Sequence, residues 1–250
     1  MDWLLDPLNY EFMRQALMAG VLMGILCPIV GTYLIVQRMA LLGDVVAHAV
    51  LPGLAIANFF NIPLIIGAFV SGMFGTFVTG WIRSQSKVKV DAAMAITLSS
   101  FFSLGIILFT SLGSRLDLEE LLFGDILSIA PADVWEIGFV MLAVLVGVKV
   151  FYKELLFFTF DPLGAEAIGL PVTAMNFGLT AAITLTIVAS IKAVGFILVV
   201  ALMVSPAAAA YLLTKELHWM MGVGAGLGVL SCLTGMYISY YIDTPSGPAI

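Results

Sequence analysis

The sequence has 250 residues, of which 62% are hydrophobic and only 10% are charged, and its mean hydropathy is +1.12. Ordinary soluble domains have about 45–50% apolar and about 25% charged residues, so this composition excludes a water-soluble globular protein, which could not cover that much apolar surface. The formal net charge of −6 has meaning only once the charges are sorted by side of the membrane. Cys27 and Cys232 both lie in apolar runs, and they predict neither a disulfide framework nor a thiolate metal site.

Uncharged runs of about 20 residues predict an all-α polytopic membrane protein with about eight transmembrane helices. The run Ala49–Ile82 has no charged residue and is too long for one helix, so we divide it at Asn58, Asn61 and Pro63. We expect residues 1–250 to form a single transmembrane domain. The predicted spans are residues 16–36, 44–60, 64–82, 92–112, 133–152, 172–191, 193–213 and 220–242. A short surface helix is also expected at residues 121–127.

The distribution of basic residues predicts the orientation of the chain. If the connection at residues 153–171 is cytoplasmic, seven of the ten Lys and Arg residues lie on the cytoplasmic side, as the positive-inside tendency requires. These seven are Arg38, Arg83, Lys87, Lys89, Lys149, Lys153 and Lys215, and the other three are Arg14, Arg115 and Lys192. The N-terminus is then outside, with most acidic residues. These acids either concentrate cations by electrostatic focusing or merely solvate the loops.

One apolar stretch, Gly43–Ala57, contains both a carboxylate and an imidazole, four residues apart. On a helix, Asp44 and His48 share one face, and Pro52 with Gly53 is expected to break or loosen that helix one turn later. Ionisable groups at membrane depth are costly and usually face a cavity or an ion path. A carboxylate with an imidazole can bind a divalent transition metal, whereas the plain alternative is a hydrogen bond between helices.

The connection at residues 153–171 has the features of a docking segment, because a short amphipathic piece, Gly164–Ile168, lies between Pro162 and Gly169. An ordinary connecting loop is the alternative interpretation. The sequence contains no Gly-x-x-x-x-Gly-Lys-Ser/Thr loop, so energy for any transport comes from a partner or from an ion gradient. His218, beside Trp219, is interpreted as an interface anchor rather than a ligand.

The stretch Gly31–Gly53, with its Gly-Asp44-Val-Val-Ala-His48 core, resembles the signature region of the manganese/zinc/iron-type ABC transporter permeases. The resemblance extends over nearly the whole chain. Further matching segments are Lys89–Ile96, Leu122–Leu127, Phe160–Pro171, Gly195–Ala210 and Tyr240–Ala249.

The resemblance implies a membrane permease subunit of an ATP-driven importer of divalent transition metals. Asp44 and His48 match the family's pore motif, and the metal-contacting role is carried over to those two positions. Manganese is expected first, and zinc or iron next, as transported substrate rather than as a permanently bound cofactor. The cytoplasmic segment that contacts the ATPase contributes Asp161, Gly164, Glu166, Gly169 and Pro171. No catalytic residue is expected.

The resemblance also implies the partners and the location. The expected assembly is a homodimer of permeases forming one translocation pathway, two cytoplasmic ATP-binding subunits, and an external metal-binding lipoprotein or periplasmic protein. The expected location is the plasma (inner) membrane of a prokaryote, and no nucleic acid is expected to bind. The family usually has one more span after the Pro245–Gly247 stretch, so either a further span follows Ile250 or this protein lacks it.

Two other classes of function stay open on the residues alone. The first is a gradient-driven carrier or channel for the same ions, which would transport metal without ATP or partners. The second is an intramembrane metal-dependent enzyme that uses Asp44 and His48 as an acid–base or metal pair, although the sequence offers no additional nucleophile.

Overall fold

The described part of the chain is built from helices of membrane-spanning length. The computed structural model describes residues 6–113, 121–122, 124, 126, 129–242, 244 and 246–250, and within these ranges no residue lies in a strand. After a 3₁₀ turn at Pro7–Asn9, the helices are α1 Glu11–Val36, α2 Leu42–Phe59, α3 Leu64–Gln85, α4 Val90–Ser111, α5 Pro131–Val150, α6 Tyr152–Phe160, α7 Pro162–Ala167, α8 Val172–Ile191, α9 Val194–Leu213, α10 Leu217–Ile242 and α11 Ser246–Ala249.

Seven of these helices are long and apolar enough to cross a membrane. An eighth candidate span arises if α5 and α6, which meet at a bend of 74°, are taken together. A helix of 20 residues is about 30 Å long, the thickness of the hydrocarbon core. The predicted fold class, an all-α polytopic membrane protein with about eight spans, is therefore confirmed.

One sequence-based expectation about local structure was wrong. Helix α2 runs from Leu42 to Phe59 with Pro52 inside it, so the Pro-Gly pair does not end the helix. Helices α6 and α7 occupy most of the connection at 153–171. The predicted helix at 121–127 falls partly outside the described residues; within it, Ile126 is buried rather than exposed.

The chain forms two compact units by its internal contacts, and the single domain predicted from the sequence stays a prediction. The first unit contains α1 up to Tyr33, together with α5, α9, α10 and α11. Its helices approach closely at glycines: a Cβ atom added to Gly24 would lie 2.8 Å from the Val229 nitrogen of α10. Gly31 of α1 is pressed in the same way against the Met203 carbonyl of α9. Small residues at such crossings let helix backbones touch.

The second unit contains α2, α3, α4, α7, most of α6, and α8 up to Val188. Helix α2 contacts both α3 and α4. The crossing of α2 and α3 is closest at Gly53 and Gly67, where each glycine faces the other's carbonyl oxygen. The Ser71 hydroxyl of α3 donates a hydrogen bond to the Ala49 carbonyl of α2 at 2.6 Å. Gly53 therefore serves close packing rather than loosening the helix.

Candidate metal site on helix α2

The acid and the imidazole lie at the beginning of α2. Asp44 is in the first helical turn, and His48 follows one turn later, about 6 Å further along the axis. Because the residues are four apart, both side chains emerge from one face of the helix, and they interact electrostatically. A carboxylate in the first turn also stabilises a helix, because its negative charge interacts favourably with the positive end of the helix dipole. The expected juxtaposition of the two side chains is present.

This polar pair is the accessible part of α2 between Leu42 and Ala55, ahead of the exposed last turn with Ile56 and Phe59. Between Leu42 and Ala55, every residue of α2 is buried except Asp44 and His48, which are each half-buried. Part of each of these two side chains is therefore open at the surface of the single chain, whereas their neighbours on α2 are not.

The packing of α3 explains why the pair stays accessible. At about 100° per residue, Ala49 and Gly53 lie about 140–180° around the helix from Asp44. Those two residues form the seam with α3, where a Cβ on Gly75 would collide with Ala49 and a Cβ on Gly53 with the Gly67 carbonyl. Helix α3 thus covers the face opposite the polar pair.

Helix α4 supplies the neighbour of the imidazole. The ring of Phe102 meets the His48 ring edge to face, with centroids 4.8 Å apart and planes at 74°. Two residues of α2 one turn beyond His48, Leu51 and Pro52, pack against Gly105 of the same helix. Nothing in the sequence pattern marked Phe102, since it is one of 17 phenylalanines and lies in a different span.

The described part of one chain does not supply a full coordination sphere. Among residues 6–113, 129–242 and the shorter described pieces, no group of three or more His, Cys, Asp or Glu side chains is placed to hold a metal ion. Four-coordinate zinc needs two ligands beyond an Asp–His pair, and octahedral manganese needs four. A metal ion bound by this pair would need its other ligands from water or from a second chain.

The second predicted site, in the α6–α7 connection, is a small helix with both ends capped. The Asp161 carboxylate accepts a hydrogen bond from the Gly164 backbone N–H at 2.9 Å, and Pro162 occupies the first helical position. At the other end, Gly169 has φ of 84°, its N–H donates to the Glu166 carbonyl, and the next N–H donates to the Ala165 carbonyl. This pattern is a Schellman motif.

Helix α7 presents apolar side chains to the exterior. Leu163 is 78% exposed and Ile168 is 67% exposed, whereas Ala165 is fully buried and attaches the helix to the unit. Of the five predicted docking residues, Asp161, Glu166, Gly169 and Pro171 are exposed and Gly164 is half-buried. Exposed apolar residues outside the spans are typical of a protein-docking surface. Sequence reasoning included Ile168 but did not single out Leu163.

The fold and the α2 pair define a multi-pass helical membrane protein with one polar pair on an otherwise buried stretch of α2. Comparison with known proteins gives the family: the chain belongs to the ABC 3 transport family, whose profile matches residues 9–250. This result confirms the resemblance to the metal-type ABC transporter permeases. A member of this family is the transmembrane subunit of its transporter.

Individual relatives are similar to this protein over nearly the whole length of the chain. The manganese transport system membrane protein MntC of Halalkalibacterium halodurans is 40% identical over 244 residues, which cover 97% of this chain and 84% of that protein. The chelated iron transport system membrane protein YfeD of Yersinia pestis is 39% identical over 249 residues, covering 98% and 82%. In the solved structure of PsaBC from Streptococcus pneumoniae in complex with Fab, one chain superposes with a TM-score of 0.90 at 36% identity, covering 98% of this chain and 89% of that one.

Proposed function

We propose that this chain is the membrane permease subunit of an ATP-driven importer of divalent transition-metal ions. Manganese is the first choice of substrate, and iron or zinc comes next. The family membership supports the transport class, and the names of similar proteins, which refer to manganese and to iron, support the choice of ion. The metal is cargo and is not held permanently.

The proposal rests on the half-buried state of Asp44 and His48 in a stretch of α2, Leu42 to Ala55, that is otherwise buried. In the proposed mechanism the entering ion exchanges part of its water shell for the Asp44 carboxylate and the His48 imidazole. A hard carboxylate and a borderline imidazole, with no thiolate, suit manganese and also accept zinc. A set of protein ligands that leaves part of the octahedral manganese sphere to water holds the ion weakly enough for it to leave on the cytoplasmic side.

A second copy of the chain completes the pathway in this proposal. Two permeases related by a two-fold axis would each contribute one Asp44 and one His48, so that four protein ligands line one pore. The half-buried state of the pair in a single chain supports this arrangement, because the exposed part of each side chain is available for contact with a second copy of the chain.

The remaining partners follow from the cytoplasmic and external faces. Two ATP-binding subunits would dock on helix α7 through the segment that contains Asp161, Gly164, Glu166, Gly169 and Pro171. The exposed Leu163 and Ile168 support this role, since they provide apolar area for an interface. ATP hydrolysis then belongs to the partners. An external metal-binding protein delivers the ion, and the complex lies in the plasma membrane of a prokaryote.

Reconstitution of the complex in liposomes tests the proposal. The permease with its ATPase and binding-protein partners should accumulate Mn²⁺ only when ATP is supplied, and Asp44→Asn or His48→Gln should abolish uptake while the complex still assembles. Asp91→Asn is the matched control, because Asp91 also lies in the first turn of a span but is exposed. Uptake by the chain alone, driven by an ion gradient, would show that the protein is a carrier or channel and would overturn the proposal. Normal uptake by both variants would remove the site.

A further inference from the structure

The chain has only two histidines, and the structure pairs each of them with a carboxylate. The first pair is Asp44 and His48. The second lies where α10 begins: the Nε2 atom of His218, in the first turn of the helix, is 3.3 Å from the Oε2 atom of Glu216, which directly precedes the helix. The same combination of donor atoms thus recurs at a second place in the fold.

We propose that Glu216 and His218 form a second, low-affinity site for a divalent transition-metal ion. The separation of the two donor atoms carries this proposal. Zinc–nitrogen and zinc–oxygen bonds of about 2.0–2.2 Å, drawn to atoms 3.3 Å apart, meet at roughly 105°, close to the tetrahedral angle of four-coordinate zinc. The separation of the two atoms thus matches that of two ligands of one ion.

Two features distinguish this pair from the one on α2: its side chains are more exposed, and the Trp219 ring lies beside the imidazole. The side chains of His218 and Glu216 are 57% and 66% exposed, so a hydrated ion reaches both and water fills its other coordination positions. The imidazole lies against the Trp219 ring, with centroids 5.5 Å apart, which limits its rotation. Glu216 directly precedes α10, whose first turn contains His218, so the backbone between the two ligands is ordered.

The pair lies on the side of the membrane that the distribution of basic residues assigns to the cytoplasm. Without a metal, the two side chains make an ordinary surface ion pair when the imidazole is protonated, and such a pair contributes little to stability. On metal binding, that proton is released and the ion takes its place between Nε2 and Oε2. The site then holds ions that have crossed the membrane. The nature of the ion and this direction of travel rest on the proposed function, whereas the two-ligand geometry does not.

Trp219 provides a local probe of the second site. In the full chain with Trp3, Trp81 and Trp135 changed to Phe, Trp219 is the remaining one of the four tryptophans. Co²⁺, a quenching stand-in for Mn²⁺, should quench Trp219 fluorescence with a saturable dependence on concentration. Excess Mn²⁺ should reverse the quenching. Glu216→Gln or His218→Gln should each raise the Co²⁺ concentration for half-maximal quenching about tenfold or more.

Two controls separate this proposal from the proposed function. The double variant Asp44→Ala, His48→Ala should leave the quenching curve unchanged, even if it stops transport, and Asp91→Asn should also leave it unchanged. Linear, non-saturating quenching, or equal curves for Glu216→Gln, His218→Gln and the parent, would show that the pair is only a surface ion pair. Loss of quenching in the Asp44/His48 double variant would assign the signal to α2. Either result would overturn the second site.

Discussion

The His48 ring of α2 rests edge to face against the Phe102 ring of α4, with centroids 4.8 Å apart. The contact joins the proposed metal ligand to a residue from another span, and the seam between α2 and α3 lies on the opposite side of α2. The aromatic contact limits the orientation of the imidazole, and the side chain as a whole stays half-buried. The first prediction follows from this contact.

Replacing Phe102 with Leu should weaken metal handling without unfolding the chain. Leu keeps most of the apolar volume but loses the aromatic edge, and such ring pairs are worth about 0.5–1.5 kcal/mol. The Mn²⁺ concentration for half-maximal uptake by the reconstituted complex should rise about 2- to 12-fold. Ile107→Ala, an exposed position on the same helix, is the control and should leave it unchanged. An unchanged value for Phe102→Leu would show that the ring does not position His48.

The crossing of α2 and α3 predicts that alanine substitutions at two glycines, Gly53 and Gly80, differ in their effect on stability. A Cβ at Gly53 would collide with the Gly67 carbonyl, so Gly53→Ala should force the helices apart at a cost of about 1–3 kcal/mol. Gly80→Ala is the matched control on α3, because a Cβ there meets nothing within 4 Å. Thermal unfolding of the purified chain in detergent should show a lower midpoint for Gly53→Ala and no decrease for Gly80→Ala. Equal midpoints would contradict the close approach.

The capping of α7 predicts how the docking segment responds to substitution. Asp161→Ala removes the acceptor for the Gly164 N–H, at a cost of about 1 kcal/mol, and should reduce capture of the ATPase subunit by the permease. Asp161→Asn keeps a capping oxygen and should restore capture. If Asn fails as completely as Ala, the carboxylate contacts the partner directly instead of capping the helix.

The C-terminal end of α7 needs a residue whose backbone adopts the left-handed conformation. Gly169 has φ of 84°, and a Cβ at this position would meet nothing within 4 Å, so the cost of Gly169→Ala is conformational, about 1–2 kcal/mol. This variant should also capture less ATPase subunit. Gly178→Ala, a position on α8 with equally open surroundings, is the control that should capture normally. Full capture by Gly169→Ala would mean that the Schellman turn is dispensable for docking.

The contact between Gly124 and the α8–α9 break predicts that Gly124→Ala destabilises the chain more than Gly113→Ala. Gly124 has φ of 63°, and a Cβ there would collide with the backbone of Val194 and Gly195, where Gly195 itself has φ of 68°. Gly113 has a similar φ of 59° but open surroundings. Gly113→Ala should therefore show only the backbone strain, whereas Gly124→Ala adds a collision and should lower the unfolding midpoint further. Similar midpoints for the two variants would exclude the collision.

Much of the fold was predictable because hydropathy is a local property of the chain. Runs without charge indicated where helices lie, and the spacing of Asp44 and His48 placed both side chains on one helix face whatever surrounds that helix. The expectation at Pro52 failed for the same reason: local propensity cannot register the packing of α3 and α4, which keeps α2 helical through the proline.

The sequence by itself determined the class of protein and the approximate position of its helices, and it singled out Asp44 and His48 as candidate metal ligands. Only the tertiary structure decided that these two residues are the accessible ones between Leu42 and Ala55, that Phe102 lies beside His48, and that Glu216 meets His218. The physical reason is that periodicity specifies which side chains share a face, whereas the choice of which face is covered depends on close approaches between helices distant in sequence.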